Sequence, residues 1–150
     1  MTMDDFISRA LDLAAVKGAS YCDVRLVETN QERFVVRNGV VDTLSNDESI
    51  GIGVRVLVNG TWGFASTNII TAAEVDRATD LAVEIAKASA KNAVKPVSLG
   101  APVTSKGTYI TPIHVDPFTI SSEEKLGLLL AADERLGSVS YTHLTLPTKA

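Results

Sequence analysis

Cysteine, histidine and aromatic residues are scarce in this 150-residue sequence, which holds one cysteine, Cys22, and two histidines, His114 and His143. A single cysteine excludes a disulfide within the chain, and such a composition suits a reducing cytoplasm. The formal net charge is −4 and the basic residues form no stripe, which argues against a nucleic-acid partner.

Long apolar runs are absent as well. No run approaches the roughly 20 residues that span a membrane. The N-terminal MTMDD has neither the basic nor the apolar region of a signal peptide. The sequence therefore predicts a cytoplasmic protein without membrane contact. Apolar residues make up 45% of the chain, which is long enough to bury a hydrophobic core.

Hydrophobic periodicity predicts an α+β fold. Apolar residues at the helical period predict helices over residues 4–17, 72–92 and 121–136. Four of the five prolines fall within residues 94–120, which predicts an extended connection, with a short strand near Tyr109.

Between the first two helices, residues 21–67 predict an antiparallel meander of about five strands. Asn-Gly pairs at residues 38–39 and 59–60 predict two tight hairpin turns. The clearest strand alternates over residues 50–58, with isoleucine and valine at every even position.

The domain organisation follows from these elements. Residues 1–137 form one domain with a core at 4–93, the connection at 94–120 and a helix at 121–136. Residues 138–150 form a separate tail, because the string VSYTHLTLPT resembles a translated sequencing adapter. On that interpretation the tail is not native and His143 belongs to no site; an ordinary C-terminal tail is the alternative.

Candidate metal and nucleophile residues are few. His114, Asp116 and Cys22 form a conceivable ligand set, but a loop histidine in a proline-rich connection is the favoured interpretation. Cys22 begins a predicted strand, where a buried structural thiol is favoured over a nucleophile.

Charged residues offer two further alternatives. Three carboxylates lie around one predicted turn: Asp42, Asp47 and Glu48. They could act as a general-base pair or bind a cation, but we favour a solvated loop. Four arginines on predicted strands either hold a peptide carboxylate or, as favoured, face solvent; they are Arg25, Arg33, Arg37 and Arg55. We therefore assign no catalytic, cofactor-binding or metal residue, and substrate-binding residues stay unknown.

Three strings carry a family resemblance: YCDVRLV at 21–27, VRNGVVD at 36–42 and GIGVRVLVNGTWGFASTN at 51–68. Together with GTY at 107–109 and DPFTISSEEK at 116–125, they resemble the N-terminal domain of the TldD/PmbA metallopeptidases, and the TldD branch in particular. The resemblance covers residues 5–136.

The resemblance implies a cytoplasmic zinc metallopeptidase that acts on peptides or unfolded segments. Family members pair as homodimers or as heterodimers with a paralogue that lacks zinc. Their zinc is held by a His-Glu-x-x-x-His helix and a further cysteine, motifs that this sequence does not contain, so we expect a chain truncated before the zinc region. We expect zinc in the full-length parent and none bound by this fragment.

Function then divides into three hypotheses. The first is a substrate-guiding, dimer-forming domain of a zinc peptidase, whose strand at residues 49–58 and its hairpin neighbours either help form a wall for an extended peptide or only scaffold the core. The second is a non-catalytic peptide-binding or partner subunit. A stand-alone enzyme that uses Asp42, Asp47 or His114 ranks far below both.

Overall fold

The α+β fold is confirmed by a computed structural model, which describes residues 2–101 and 103–139. In chain order the elements are α1 (Met3–Val16), β1 (Tyr21–Arg37), β2 (Val40–Val58), β3 (Thr61–Thr67), α2 (Ala72–Ala90), a 3₁₀ helix (Pro117–Thr119) and α3 (Ser122–Val139). The predicted tail lies outside the described residues from position 140 onward, and so does His143. None of the helices in the described part is long and apolar enough to cross a membrane.

The described sheet has three strands in the order β1-β2-β3, where about five were predicted. A meander of five strands needs two more turns within residues 21–58, but residues 28–32 and 45–48 are continuous strand. Neither stretch contains glycine or proline, and their polar side chains are mostly exposed. A strand that is exposed to solvent is as polar as a loop, so composition alone predicted a loop at both places. The short strand predicted near Tyr109 is wrong, because residues 103–113 belong to no strand of the sheet.

Both Asn-Gly hairpin turns are confirmed. Asn38 and Asn59 have φ of 52° and 51°, and the glycines that follow them have φ of 74° and 75°. Two successive left-handed residues are what a two-residue hairpin turn with the twist of the sheet requires. Beyond the second turn, β2 and β3 pair antiparallel from Val58↔Thr61 to Ile52↔Thr67.

The chain divides into two compact units. The first contains residues 2–29 and 48–105, and the second contains residues 30–47 and 106–139. Both β1 and β2 contribute residues to each unit, because the tip of their hairpin belongs to the second.

The hydrophobic core of the first unit lies between the sheet and the two helices. The even positions of β2 from Ile52 to Val58 are buried, as their alternation predicts. They pack with residues that α1 and α2 turn inward: Phe6, Ala10, Ala14, Val75, Ala82, Val83 and Ala86. The odd positions of β2 therefore face away from the helices.

Small residues bring α2 against the sheet. A Cβ at Gly63 would lie 1.9 Å from the carbonyl oxygen of Ala82, so only glycine fits there. The neighbouring Thr61 hydroxyl donates a hydrogen bond of 2.6 Å to the Ala86 carbonyl. The helix backbone thus rests directly on β3.

Ion pairs join the two helices. Both guanidinium contacts of Arg9 with the Asp76 carboxylate are 2.6 Å long, and Lys17 lies 2.7 Å from Asp80. The hydrogen bond from Arg9 holds the pKa of Asp76 below its ordinary value. These contacts orient α1 along α2 on the side of the helices that faces solvent.

In the second unit, α3 packs beside the tip of the β1–β2 hairpin. The Lys125 ammonium pairs with Glu32 and lies 5.3 Å from the centre of the Phe34 ring. Near the end of α3, Asp133 accepts a hydrogen bond from the Gly39 amide in the turn.

Candidate functional site

The face of the sheet turned away from α1 and α2 carries an open groove in the first unit. Its floor is the backbone of Gly51 and Gly53, two odd positions of β2 that have no side chain to fill the space. A Cβ at Gly51 would make only ordinary contact, 3.6 Å from the Thr67 carbonyl oxygen, so packing does not require glycine there. Bare glycine backbone in a strand allows another backbone or a large side chain to approach closely.

The walls of the groove come from the two flanking strands. Arg25 and Val27 of β1 line one side, and Phe64 and Ser66 of β3 line the other. Phe64 is 57% exposed and its ring leans over Gly53, to within 3.1 Å of where a Cβ would lie. The groove encloses about 610 Å³, which is enough for a few residues of an extended peptide.

One end of the groove narrows into a hollow of about 190 Å³. Asp23 and Arg55 line this end, and both Nε and Nη2 of Arg55 lie 2.7 Å from the same carboxylate oxygen of Asp23. The hydrogen bond and charge of Asp23 raise the pKa of Arg55. The ion pair therefore joins β1 to β2 and closes this end.

Two aromatic residues hold Arg55 in place. Its guanidinium carbon lies 4.9 Å from the centre of the Trp62 ring, a cation–π distance. Tyr21 meets the same ring edge-on, with ring centres 5.7 Å apart. At the other end β3 finishes at Thr67, and Asn68 lines the groove.

The charge balance at the closed end is positive. Arg55 neutralises Asp23, whereas Arg25 only approaches the second Asp23 oxygen, at 3.6 Å, with 74% of its side chain exposed. The three side chains together carry one excess positive charge, on a protein whose formal net charge is −4.

Cys22 is a structural thiol in this fold. It packs at the margin of the hydrophobic core, and burial, followed by the charge of Asp23, raises the pKa of its thiol to about 11. A thiol with this pKa is almost entirely protonated at neutral pH, which argues against a nucleophilic role.

The conceivable ligand set of His114, Asp116 and Cys22 does not form within one unit. Cys22 belongs to the first unit, and the other two residues belong to the second. The Asp116 carboxylate accepts a hydrogen bond of 2.9 Å from the Phe118 amide and begins the 3₁₀ helix. Across residues 2–101 and 103–139, no three His, Cys, Asp or Glu side chains come together as a metal cluster would require.

The predicted turn around Asp42, Asp47 and Glu48 is wrong, because all three residues lie on β2. Asp42 and Asp47 point to opposite faces of an extended strand and are roughly 17 Å apart at 3.3 Å per residue. Asp47 accepts a hydrogen bond of 3.1 Å from Ser45, and Asp42 lies 3.8 Å from Arg37. Asp42 and Asp47 therefore do not form a paired general base.

The fold separates the four candidate arginines into two pairs. Arg25 and Arg55 share the groove, on either side of Asp23. Arg33 and Arg37 belong to the second unit, where both are exposed. The sequence offers Arg25 and Arg55 only as one alternative for holding a peptide carboxylate; a further signal was the pair of glycines, at 51 and 53, inside a strongly apolar strand.

Both a family profile and a curated protein are similar to this chain. The family profile described as PmbA/TldA metallopeptidase domain 1 matches residues 22–86. Metalloprotease MJ0996 of Methanocaldococcus jannaschii is 24% identical over 128 residues, which are 82% of this chain and 28% of that protein. The chain thus spans less than a third of the length of this curated relative.

Solved structures share the fold. A candidate DNA gyrase modulator of Thermotoga maritima superposes with a TM-score of 0.70 at 18% identity, over 91% of this chain and 30% of that one. A candidate DNA gyrase modulator of Bacteroides thetaiotaomicron gives 0.69 at 20% identity, over 88% of this chain and 30% of its own. TldE of Thermococcus kodakarensis gives 0.60 at 14% identity, over 89% and 28%.

Residues 22–86 match the profile of PmbA/TldA metallopeptidase domain 1, which confirms the resemblance identified from the three strings. The assignment to the TldD branch stays a prediction.

Proposed function

We propose that this chain is the substrate-guiding, dimer-forming N-terminal domain of a cytoplasmic zinc metallopeptidase that acts on peptides or unfolded segments. The observation that carries the proposal is the glycine-floored groove on the face away from the helices, within a metallopeptidase domain 1. The Methanocaldococcus jannaschii relative is named a metalloprotease, which supports the same class of reaction.

An extended peptide has two ways to lie on this sheet. It can rest in the groove over Gly51 and Gly53, where its backbone approaches β2 from above the sheet. It can also add to a sheet edge through main-chain hydrogen bonds that ignore sequence. Because β2 is the central strand, an added strand would pair with β1 or β3, and residues 49–58 contribute the floor of the groove rather than an edge.

The described residues do not fit a zinc site, since their histidine and cysteine lie in separate units and no cluster of three ligands forms among them. The proposal therefore gives zinc to another part of the protein and assigns these residues to binding alone. Dimer formation rests on the family resemblance, and α3 offers exposed leucines for it, Leu128 and Leu136.

The test begins with the full-length gene, sequenced past the codon for Gly137 from the same source DNA. The protein is expressed, its mass in solution is measured, and hydrolysis of an unfolded polypeptide is followed with zinc and after chelation. We expect a dimer and chelator-sensitive hydrolysis. A protein that binds peptides without hydrolysing them would instead be the non-catalytic partner subunit.

Groove variants then test the guiding role. In the full-length protein, Gly51→Leu places a side chain over the floor, and we expect KM to rise about tenfold with kcat nearly unchanged, because binding alone is lost. Gly107→Leu is the matched control, since a Cβ there meets nothing within 4 Å. An unchanged KM in Gly51→Leu would remove the groove from the proposal.

A further inference from the structure

At the closed end of the groove, the incompletely paired guanidinium of Arg25 lies beside the bare glycine backbone of the floor. Arg25 lines both the wide part of the groove and the narrow hollow. Its guanidinium makes one long contact, at 3.6 Å, with Asp23, whose other oxygen already takes both contacts from Arg55. The guanidinium of Arg25 thus faces the Asp23 carboxylate, whose charge Arg55 already neutralises.

Charge complementarity selects the ligand. Arg25 and Arg55 surround one carboxylate, which leaves one positive charge to be balanced by an anion. A guanidinium binds a carboxylate through two parallel hydrogen bonds, a geometry that lysine cannot supply. Beside it, Val27 and the Phe64 ring offer apolar surface for a neighbouring side chain.

The shape of the groove selects the position of that carboxylate in the peptide. The Asp23–Arg55 pair lies beside Trp62 at the narrow end, whereas Gly51 and Gly53 leave the rest of the floor without side chains. A peptide segment that lies over the two glycines therefore meets this ion pair near Arg25, where a chain end fits without displacing the pair.

We infer that the groove binds the C-terminal carboxylate of an extended peptide, with Arg25 as the carboxylate-binding residue and Val27 and Phe64 against the last apolar side chain. This inference rests on the proposed function, since it names the substrate class of the same groove: peptides with a free C-terminus. Arg25 here recognises the substrate and takes no part in bond cleavage.

The test measures binding by the present chain, without zinc. The tetrapeptide acetyl-Gly-Ala-Val-Leu is titrated by calorimetry at low ionic strength, as the free acid and as the C-terminal amide. We expect the amide to bind about tenfold more weakly, because one charge-assisted hydrogen-bonded pair is lost. Fluorescence of Trp62, the one tryptophan of the chain, is expected to change with the free acid because Arg55 lies against its ring.

Variants assign the effect to its residue. Arg25→Gln is expected to bind acid and amide equally, and Arg25→Lys to keep part of the preference. The matched control is Arg33→Gln, which removes the same charge from an exposed position of β1 in the second unit and should bind like the unaltered chain.

Three results would overturn the inference. The first is equal affinity for the acid and the amide, and the second is an equal loss of affinity for the acid in Arg25→Gln and Arg33→Gln. The third is binding of acetyl-Gly-Ala-Asp-Leu amide as tight as that of the free acid. The last would show that an internal acidic side chain, not a terminus, is recognised. Hydrolysis by the full-length protein is a separate readout, so either proposal can fail while the other stands.

Discussion

Cys22 shows how burial changes the chemistry of one side chain. Its pKa of about 11 lies above the ordinary value of 9.0, so the native chain holds less thiolate than the unfolded chain at any pH below 11. At pH 8 we expect iodoacetamide to label the native protein about 100-fold more slowly than the denatured protein, because the thiolate is the attacking species.

The measurement is mass spectrometry of samples taken over time in native buffer and in denaturant. The sign of the pH dependence follows from the raised pKa: the native rate should increase about tenfold per pH unit and level off only near pH 11. A native rate that levels off below pH 9 would show that the thiol is solvated and would reopen a nucleophilic role.

At the scale of elements, the contact between α2 and β3 depends on Gly63. Gly63→Ala would place a Cβ 1.9 Å from the Ala82 carbonyl and 2.7 Å from the Ala86 amide, both of which are backbone atoms that cannot move aside separately. We expect the free energy of unfolding to fall by about 2 kcal/mol or more, as overpacking of a tight core does.

Gly51→Ala is the control for that change, because its Cβ would make an ordinary contact of 3.6 Å in the same sheet. Its free energy of unfolding should stay within about 0.5 kcal/mol of the unaltered chain, as at a tolerant surface position. Chemical denaturation followed by Trp62 fluorescence measures both variants. If the two losses are equal, the close packing of α2 on β3 is not what Gly63 provides.

The elements also show what the sequence could predict. The helices and the buried face of β2 follow from periodicity, because their apolar residues recur at 3.6 or 2 positions. The strand number does not, since β1 and β2 run on through polar stretches that a core no longer covers. A local pattern cannot distinguish a strand exposed on both faces from a loop.

The groove could not be predicted for a different reason. Arg25, Gly53 and Phe64 lie on three strands and meet only through the pairing of the sheet. The sequence does place the arginines on strands, as the structure confirms. The sequence could not show that Asp23 lies much closer to Arg55 than to Arg25.

At the scale of the whole molecule, burial is unevenly distributed. Among the described residues, every buried hydrophobic side chain belongs to the first unit. We expect the amides of Val54 and Val56 to exchange with solvent only on global unfolding, whereas amides of the second unit exchange through local opening.

Hydrogen exchange followed by mass spectrometry of peptide fragments measures this difference. The paired segments of β2 and β3 are the internal reference, because their antiparallel ladder is continuous from residue 52 to residue 67. Equal protection of α3 and of this ladder would show that the second unit is as stable as the first.

The two partners of the second unit are far apart in the sequence, and this separation sets the order in which contacts can form during synthesis. Glu32 lies 93 residues before Lys125, with which it pairs. At synthesis rates of about 5–20 residues per second, the hairpin tip waits roughly 5–20 s for α3 to appear. The first unit can complete its core during that interval while Phe34 still lacks its lysine, so the hairpin tip stays available to a nascent-chain chaperone after the rest of the sheet has packed.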